Sequence, residues 1–230
     1  MGNFYFPFRD LHWDLNCDIM FANHKTKGEI AVEQTDVIRF FDGHAARWDA
    51  EMICDDRCVN AILDASRIAA GADVLDIACG TGVMFPFYMA RNVASVTAID
   101  ISPAMVKIAQ SKTAGLPIRV VCGDAAVYDF GRQFDAAVIY NAFPHFPDSG
   151  AIIAALARWV KPGGTLTVAH GMSRQDIHRH HEGSAAHVSI ELPPAQELSA
   201  LFAPYFEVTT AVDNETMYQV TGIRRNLLCV

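Results

Sequence analysis

Three acids stand at or just past the ends of apolar runs: Asp76 in 73–77, Asp100 after 94–99, and Asp124 after 118–122. A carboxylate at the carboxyl end of a buried strand can accept hydrogen bonds from a ligand's hydroxyl or amino groups. After Asp76 the chain reads Ile77-Ala78-Cys79-Gly80-Thr81-Gly82. Gly80 and Gly82 permit a tight turn and let a ligand approach bare backbone. The apolar pattern beyond Gly82 predicts a helix, whose first N–H groups would point at the same place. Asp100 follows Gly82 by 18 residues, a spacing suited to the ribose hydroxyls of a nucleotide.

A second set of reactive side chains follows the predicted fourth strand, in Tyr140-Asn141-Ala142-Phe143-Pro144-His145-Phe146. In an open α/β sheet the ligand lies outside the carboxyl ends of the strands, so this segment faces the reacting group. Tyr140, Asn141 and His145 are its candidates for chemistry. His145 could act as a base, with an ordinary pKa near ~6.5, or could cap the loop as a structural residue.

A third set is rich in histidine. Five of the nine histidines fall within 170–187: His170, His178, His180, His181 and His187. If 174–182 is helical, His178 and His181 share a face, and His170 ends the fifth strand pointing at the same cavity. His170, His178 and His181 could then hold a divalent transition metal such as zinc. Such a metal could position or deprotonate a soft nucleophile, for example a thiol. The other readings are a polar lid that touches substrate and a solvated helix with no role. Cys54-x-x-x-Cys58 has no second cysteine pair, so it reads as two positions on one helix.

The elements that must carry these residues alternate. Helical periodicity begins near Thr35, with Val37, Ile38, Phe41, Ala45 and Trp48 at three- and four-residue spacing. A second helix is expected over 57–69. Strands are expected at 73–77, 94–99, 118–122, 134–139 and 165–169. Helices are expected from Gly82 to about Arg91, from a Ser102-Pro103 cap to about 113, and from a Ser149 cap through Val160. Lys161-Pro-Gly-Gly164 reads as a turn. A late helix near 195–203 precedes two strands near 206–212 and 216–223, with Asp213-Asn214 at the turn between them. This order predicts a doubly wound, mostly parallel seven-stranded α/β sheet ending in an antiparallel hairpin.

The segment 76–82 resembles the first motif of the class I methyltransferases that use S-adenosylmethionine (SAM), usually acid-x-Gly-x-Gly-x-Gly. Asp76, Gly80 and Gly82 match, and Ala78 stands at the first glycine. Gly123-Asp124-Ala125 resembles the family's third motif, and Lys161-Pro-Gly-Gly164 is a further shared feature. The resemblance spans about 36–223 and implies a Rossmann-like methyltransferase fold. It also implies a cofactor set. Asp76, Ala78, Cys79 and Gly80 would cradle SAM, with Asn141 nearby. Asp100 would hold the ribose, Ile101 and Met105 would sandwich the adenine, and Asp124 would accept from its amino group. Phe40-Phe41-Asp42 and Arg47-Trp48-Asp49 resemble the helix that covers the cofactor, with Trp48 partly lining the cavity. The implied activity is methyl transfer to a small-molecule acceptor, yielding S-adenosylhomocysteine (SAH).

Two alternatives remain open at this point. One is a SAM- or metal-binding module without turnover. The other is an NAD enzyme, which Phe85 disfavours because that fingerprint wants a glycine there. With 51% hydrophobic residues, the 230-residue chain can bury one large core. A net charge of −8 argues against a nucleic-acid surface. No apolar run reaches the roughly 18–20 residues that span a bilayer. The N-terminus lacks signal-peptide character, and the six cysteines show no disulfide framework, so a cytoplasmic setting is expected. Residues 1–33 are expected to be irregular, ahead of a 34–230 methyltransferase domain. Their aromatics Phe4, Tyr5, Phe6, Phe8 and Trp13 suggest a lid or a homodimer contact.

Overall fold

The computed structural model describes residues 32–52, 54–182 and 185–226. The N-terminal aromatic cluster, and with it the expected lid or dimer contact, lies outside the described residues.

Helices α1 (Gln34–Glu51) and α2 (Asp56–Ala65) precede β1 (Asp73–Ile77). Val74, Leu75 and Ile77 are wholly buried. Their alternation feeds two cores: Leu75 and Ile77 enter one, and Val74 enters the other. That is the demand on a strand covered on both faces. Then come α3 (Phe85–Ala90), β2 (Ser95–Asp100), α4 (Pro103–Ser111), β3 (Ile118–Cys122) and β4 (Phe134–Tyr140). A 3-10 turn at Phe143–His145 leads to α5 (Ser149–Ala157) and β5 (Val160–His170). Next are α6 (Arg174–His181), a second 3-10 turn (Ala186–Val188), α7 (Ala195–Phe202), β6 (Phe206–Asp213) and β7 (Tyr218–Arg224).

The sheet order is β3-β2-β1-β4-β5-β7-β6. Strands β1 to β5 pair in parallel, while β7 runs antiparallel to both β5 and β6. The seven strands, the doubly wound layers and the closing hairpin agree with the sequence expectation. The chain leaves β1 on one side for β2 and β3, then returns on the other side for β4. That reversal opens a crevice at the carboxyl ends of β1 and β4, where ligands bind in such folds.

Several boundaries differ from expectation for physical reasons. Helix α2 stops at Ala65, because the Ser66 hydroxyl donates back to the Ile62 carbonyl at 2.7 Å and Arg67 turns left-handed at φ +57°. The helix after the glycine turn starts only at Phe85. Helix α5 is capped by Asp148, which accepts from the Ala151 N–H at 2.8 Å, and Ser149 is its first residue. The Lys161–Gly164 turn is a bulge inside β5: Val160 pairs with Phe134, and pairing resumes at Thr165 with Ala136. Buried polar side chains tie α2 to the far strands. Thr165 donates to the Ser66 carbonyl at 2.7 Å, and Gln219 donates to the Ile62 carbonyl at 3.1 Å.

The turn after β1 carries the strain. Ala78 adopts φ +54°, a left-handed conformation that costs a non-glycine residue roughly 1–2 kcal/mol. Gly82 adopts φ +86°, and a Cβ there would overlap the Phe85 ring. Phe85 therefore occupies the space that a third motif glycine would leave free. Gly82→Ala is expected to destabilise the fold by about 2–4 kcal/mol, from the left-handed conformation plus the overlap. Ala78→Gly is expected to be neutral or to stabilise by up to about 1 kcal/mol. Urea denaturation of the two variants checks both signs, and a Gly82→Ala protein as stable as the parent contradicts the first.

Candidate active site

A cavity of about 230 Å³ lies at the carboxyl ends of the central strands. One wall is the turn after β1, presenting Ala78, Cys79 and Gly80. A second wall comes from β2 and β3, with Asp100, Ile101 and Met105, then Gly123, Asp124 and Ala125. Helix α1 roofs it with Gln34, Val37, Phe41 and Trp48. The far wall, after β4, carries Tyr140, Asn141, His145, Phe146 and Ile152.

The acids of the near walls are held by backbone donors. Asp100 is buried; its Oδ2 accepts from the Gly80 N–H at 2.8 Å and its Oδ1 from the Ser102 N–H at 2.9 Å. Burial pushes its pKa up, and those N–H donors oppose the rise. Asp124 Oδ1 accepts from the Ala126 N–H at 2.9 Å, and its Oδ2 accepts from Gln34 Nε2 at 2.8 Å. That second bond ties the roof to the wall. Two more ties do the same. Asp42 accepts from the Ser102 hydroxyl at 2.6 Å and the Ala104 N–H at 3.0 Å. Asp49 accepts from the Thr81 hydroxyl at 2.5 Å and pairs with Lys112 at 2.6 Å. Trp48 lies over the turn, with its Nε1 3.9 Å from where a Gly80 Cβ would stand.

Two residues expected at the cofactor do not line the cavity. Gly82 shapes the turn from behind. Asp76 lies beneath it and is 1% exposed, with Oδ2 lacking a hydrogen-bond partner. Burial pushes its pKa up to about 8, so it is protonated at neutral pH. The helix N-terminus expected against the ligand is displaced as well, because α3 begins three residues past Gly82.

On the far wall, Tyr140 is buried and Asn141 adopts φ +53°, its Oδ1 accepting from the Gly171 N–H at 2.9 Å. The Nδ1 of His145 lies 2.9 Å from the Val188 carbonyl oxygen. A carbonyl only accepts, so the proton is on Nδ1 and Nε2 keeps a free lone pair. Burial pushes the pKa of His145 down, and the Val188 bond opposes that. The ring packs edge-on against Phe41 at 4.8 Å and against His181 at 5.3 Å.

The other histidines depart from expectation. His170 does not reach the cavity. It is 3% exposed, its Nε2 has no partner, and its ring stands edge-on to Tyr218 at 6.1 Å. Burial, with His145 and His181 adding to it, pushes its pKa down to about 3. His178 is exposed and lies 3.7 Å from Glu182. The expected metal triad of His170, His178 and His181 is not assembled. Among the described residues no three His, Cys, Asp or Glu side chains converge to hold a metal ion. The rings that do approach one another are His145 and His181, with centroids 5.3 Å apart.

Comparison with known proteins agrees with this geometry. Residues 74–164 match a family model described as a methyltransferase domain. That stretch of the chain is similar to a methyltransferase domain. Over 107 residues it is 41% identical to a ubiquinone biosynthesis O-methyltransferase of Xanthomonas campestris pv. campestris (strain B100), covering 44% of this chain and 44% of that one. The match thus spans less than half of that relative's length. The fold is that of the DhpI protein in its SAH complex, with a TM-score of 0.67 at 20% identity, covering 86% of this chain and 99% of that one. It is also that of the N-methyltransferase NodS from Bradyrhizobium japonicum WM9 in complex with SAH. There the TM-score is 0.63 at 15% identity, covering 83% and 98% of the two chains.

Sequence reasoning missed the roof ties. Gln34 meets Asp124 across 90 residues, and only the fold brings them together. Asp42 and Asp49 are seven residues apart and so share a helix face, a signal that was present. Asp76 makes a testable cost. Its unfolded pKa is near ~3.9, and its folded value is about 8. Between those values the unfolded chain sheds the proton first, so stability falls as pH rises. Asp76→Asn removes that slope. The variant's gain in Tm over the parent should be larger at pH 8 than at pH 5, and a gain independent of pH would contradict the assignment.

Proposed function

We propose that this chain transfers the methyl group of SAM to a small-molecule acceptor, with an oxygen as the atom methylated, and releases SAH. The observation that carries the reading is one cavity with the glycine turn, Asp100 and Asp124 on one side and His145 on the other. The residues fit the cofactor. Each Asp100 oxygen accepts one backbone bond, leaving lone pairs toward the cavity for two ribose hydroxyls. Ile101 and Met105 offer apolar faces to an adenine, and Asp124 offers an acceptor to its amino group. Ala78, Cys79 and Gly80 present backbone to the remainder, while Asp76 acts from beneath the turn. Asn141 and Trp48 close the cavity near the reacting end. SAM supplies a methyl carbon already activated by a positive sulfur.

The chain's task is then alignment, exclusion of water and disposal of a proton. Phe41, Phe146 and Ile152 suit an acceptor with an apolar body. As the carbon–oxygen bond forms and the carbon–sulfur bond breaks, the acceptor's O–H proton moves to Nε2 of His145. Tyr140, whose hydroxyl burial keeps protonated, orients the acceptor with Asn141. The oxygen acceptor rests on the naming of the Xanthomonas relative.

The domain extends over 34–230 in this reading, which places the methyltransferase elements beyond both ends of the matched stretch. The setting is cytoplasmic, in keeping with free thiols at Cys54, Cys58, Cys79 and Cys122. No helix among the described residues is long and apolar enough to cross a membrane.

Binding and turnover separate this reading from its rivals. SAM and SAH should raise Tm, and NADH should not. Asp100→Asn should weaken SAM binding by about 10- to 100-fold, the worth of hydrogen bonds to a charged acceptor. Calorimetry measures that loss, and SAH release from candidate phenols and alcohols measures turnover. Stabilisation by NADH alone would overturn the assignment. SAM binding with no SAH formed from any acceptor would reduce the chain to a binding module.

A further inference from the structure

Three polar ties hold the roof helix α1 over the cavity, from Gln34, Asp42 and Asp49. Their spacing puts all three on one face of the helix. They are not equivalent. Asp42 and Asp49, with their partners Ser102 and Thr81, do not line the cavity. Both ends of the tie between Gln34 and Asp124 do. A link that served only to hold the roof could sit behind the walls, as the other two sit.

The orientation of the Gln34 amide is set by its partner. A carboxylate only accepts, so Nε2 faces Asp124, at 2.8 Å, and Oε1 is turned away from it. That bond uses one of the two amide N–H groups and leaves the carbonyl oxygen unused. Asp124 also has lone pairs to spare, since Oδ1 accepts from the Ala126 N–H and Oδ2 from Gln34. Side by side, the two residues offer two kinds of acceptor, the Asp124 carboxylate and Gln34 Oε1, and one further N–H.

The neighbours say which part of the cofactor comes to this end. Val37, one turn along α1, packs with Ile101 in one apolar cluster, and both line the cavity together with Met105 and Ala125. A flat purine held among these four presents its polar edge to Asp124 and Gln34.

We infer that Gln34 is a specificity residue for the base of the cofactor, reading the 6-amino group of the purine jointly with Asp124. The inference rests on the reading of this cavity as a SAM site. Oε1 of Gln34 accepts one N–H of the amino group and the Asp124 carboxylate accepts the other. A glutamine amide matches an adenine edge in this sense, oxygen to the amino group and N–H to a ring nitrogen. A 6-oxo purine reverses the pattern, bringing an oxygen lone pair against two acceptors. Gln34 has no easy way to turn its donor end to that oxygen, because turning gives up the bond to Asp124. Selection of the base is thus shared between one side chain on the wall and one on the roof.

The full chain is titrated by calorimetry with SAH and with S-inosylhomocysteine, its 6-oxo analogue, so no methyl acceptor is needed. The quantity read is the ratio of the two dissociation constants. Any loosening of the roof weakens both ligands alike and cancels in that ratio. The parent should prefer SAH. Gln34 is exposed in the first turn of α1, so its replacement spares the core. Gln34→Leu should lower the preference by about three- to tenfold, the worth of one solvent-exposed hydrogen bond. Asp42→Asn, which breaks a tie away from the ligand, should leave the ratio as it is even where both affinities fall. Equal losses for the two ligands in Gln34→Leu, or no loss in either, overturn the inference. Tighter SAH binding in Gln34→Leu overturns it too, because Gln34 then competes with the purine for Asp124. A parent chain that binds both ligands alike overturns recognition of the base, and one that binds neither overturns the SAM reading beneath it.

Discussion

The hydrogen bond from the Gly80 N–H to Asp100 Oδ2, at 2.8 Å, fixes the geometry on which the rest of the site depends. It locks the turn after β1 to the end of β2, the two strands that flank one side of the crevice. The same carboxylate accepts from the Ser102 N–H. Ser102 then caps α4 through its hydroxyl oxygen, which accepts from the Met105 N–H at 3.2 Å, and donates that hydroxyl's proton to Asp42 of α1. A single buried acid thus connects the cradle, the helix bearing Met105 and the roof. Removing its charge would loosen all three at once, since each bond is to an ionised or oriented partner. A ligand that adds donors to Asp100 favours the charged form that this network needs.

Much of this was legible in the residues. The apolar runs of β1 and β2, the Ser102-Pro103 cap and the acids at strand ends follow from local chemistry, and each lies where it was expected. The sheet order could be anticipated because alternating strands and helices leave few packings. What escaped were contacts set by tertiary closure. The tie between Gln34 and Asp124 joins residues that share no local pattern. The hydrogen bond from His145 to Val188 depends on a loop of 3-10 geometry after α6, which no periodicity announces. Asp148 displaced Ser149 as a cap because the chain turns one residue earlier than the apolar pattern suggested. The metal reading failed for a related reason. Spacing put His178 and His181 near one face, but one ring turned to Glu182 and solvent and the other to His145.

Four departures from good local practice fall at one edge of the sheet. Ala78 and Asn141 both adopt left-handed conformations, Asp76 and His170 are buried with an unpaired polar atom, and all four lie at the carboxyl ends of β1, β4 and β5. Stable folds tolerate such features where surrounding packing over-determines them, and here the two wholly buried cores on either side of β1 supply that. The pH responses of the two buried groups oppose each other. The unfolded chain gains the His170 proton first as pH falls from about 6.5 toward 3, and sheds the Asp76 proton first as pH rises from about 3.9 toward 8, and each change favours unfolding. Between about 3.9 and 6.5, where the folded chain holds both neutral, the two slopes cancel, and the contribution of this pair to stability falls off on either side.

That neutrality has a chemical use. A site that must receive a sulfonium cation and then dispose of a proton is better built from neutral imidazoles than from fixed charges, because each can take up charge only briefly. His145 is held neutral by burial and held in one tautomer by Val188. The histidine-rich segment, which at first suggested a metal, therefore makes more sense as a gradient of exposure. His170 is sealed, His145 faces the cavity, His181 is half-buried and His178 is exposed. Depth in the fold, rather than spacing along the chain, sets these four rings apart.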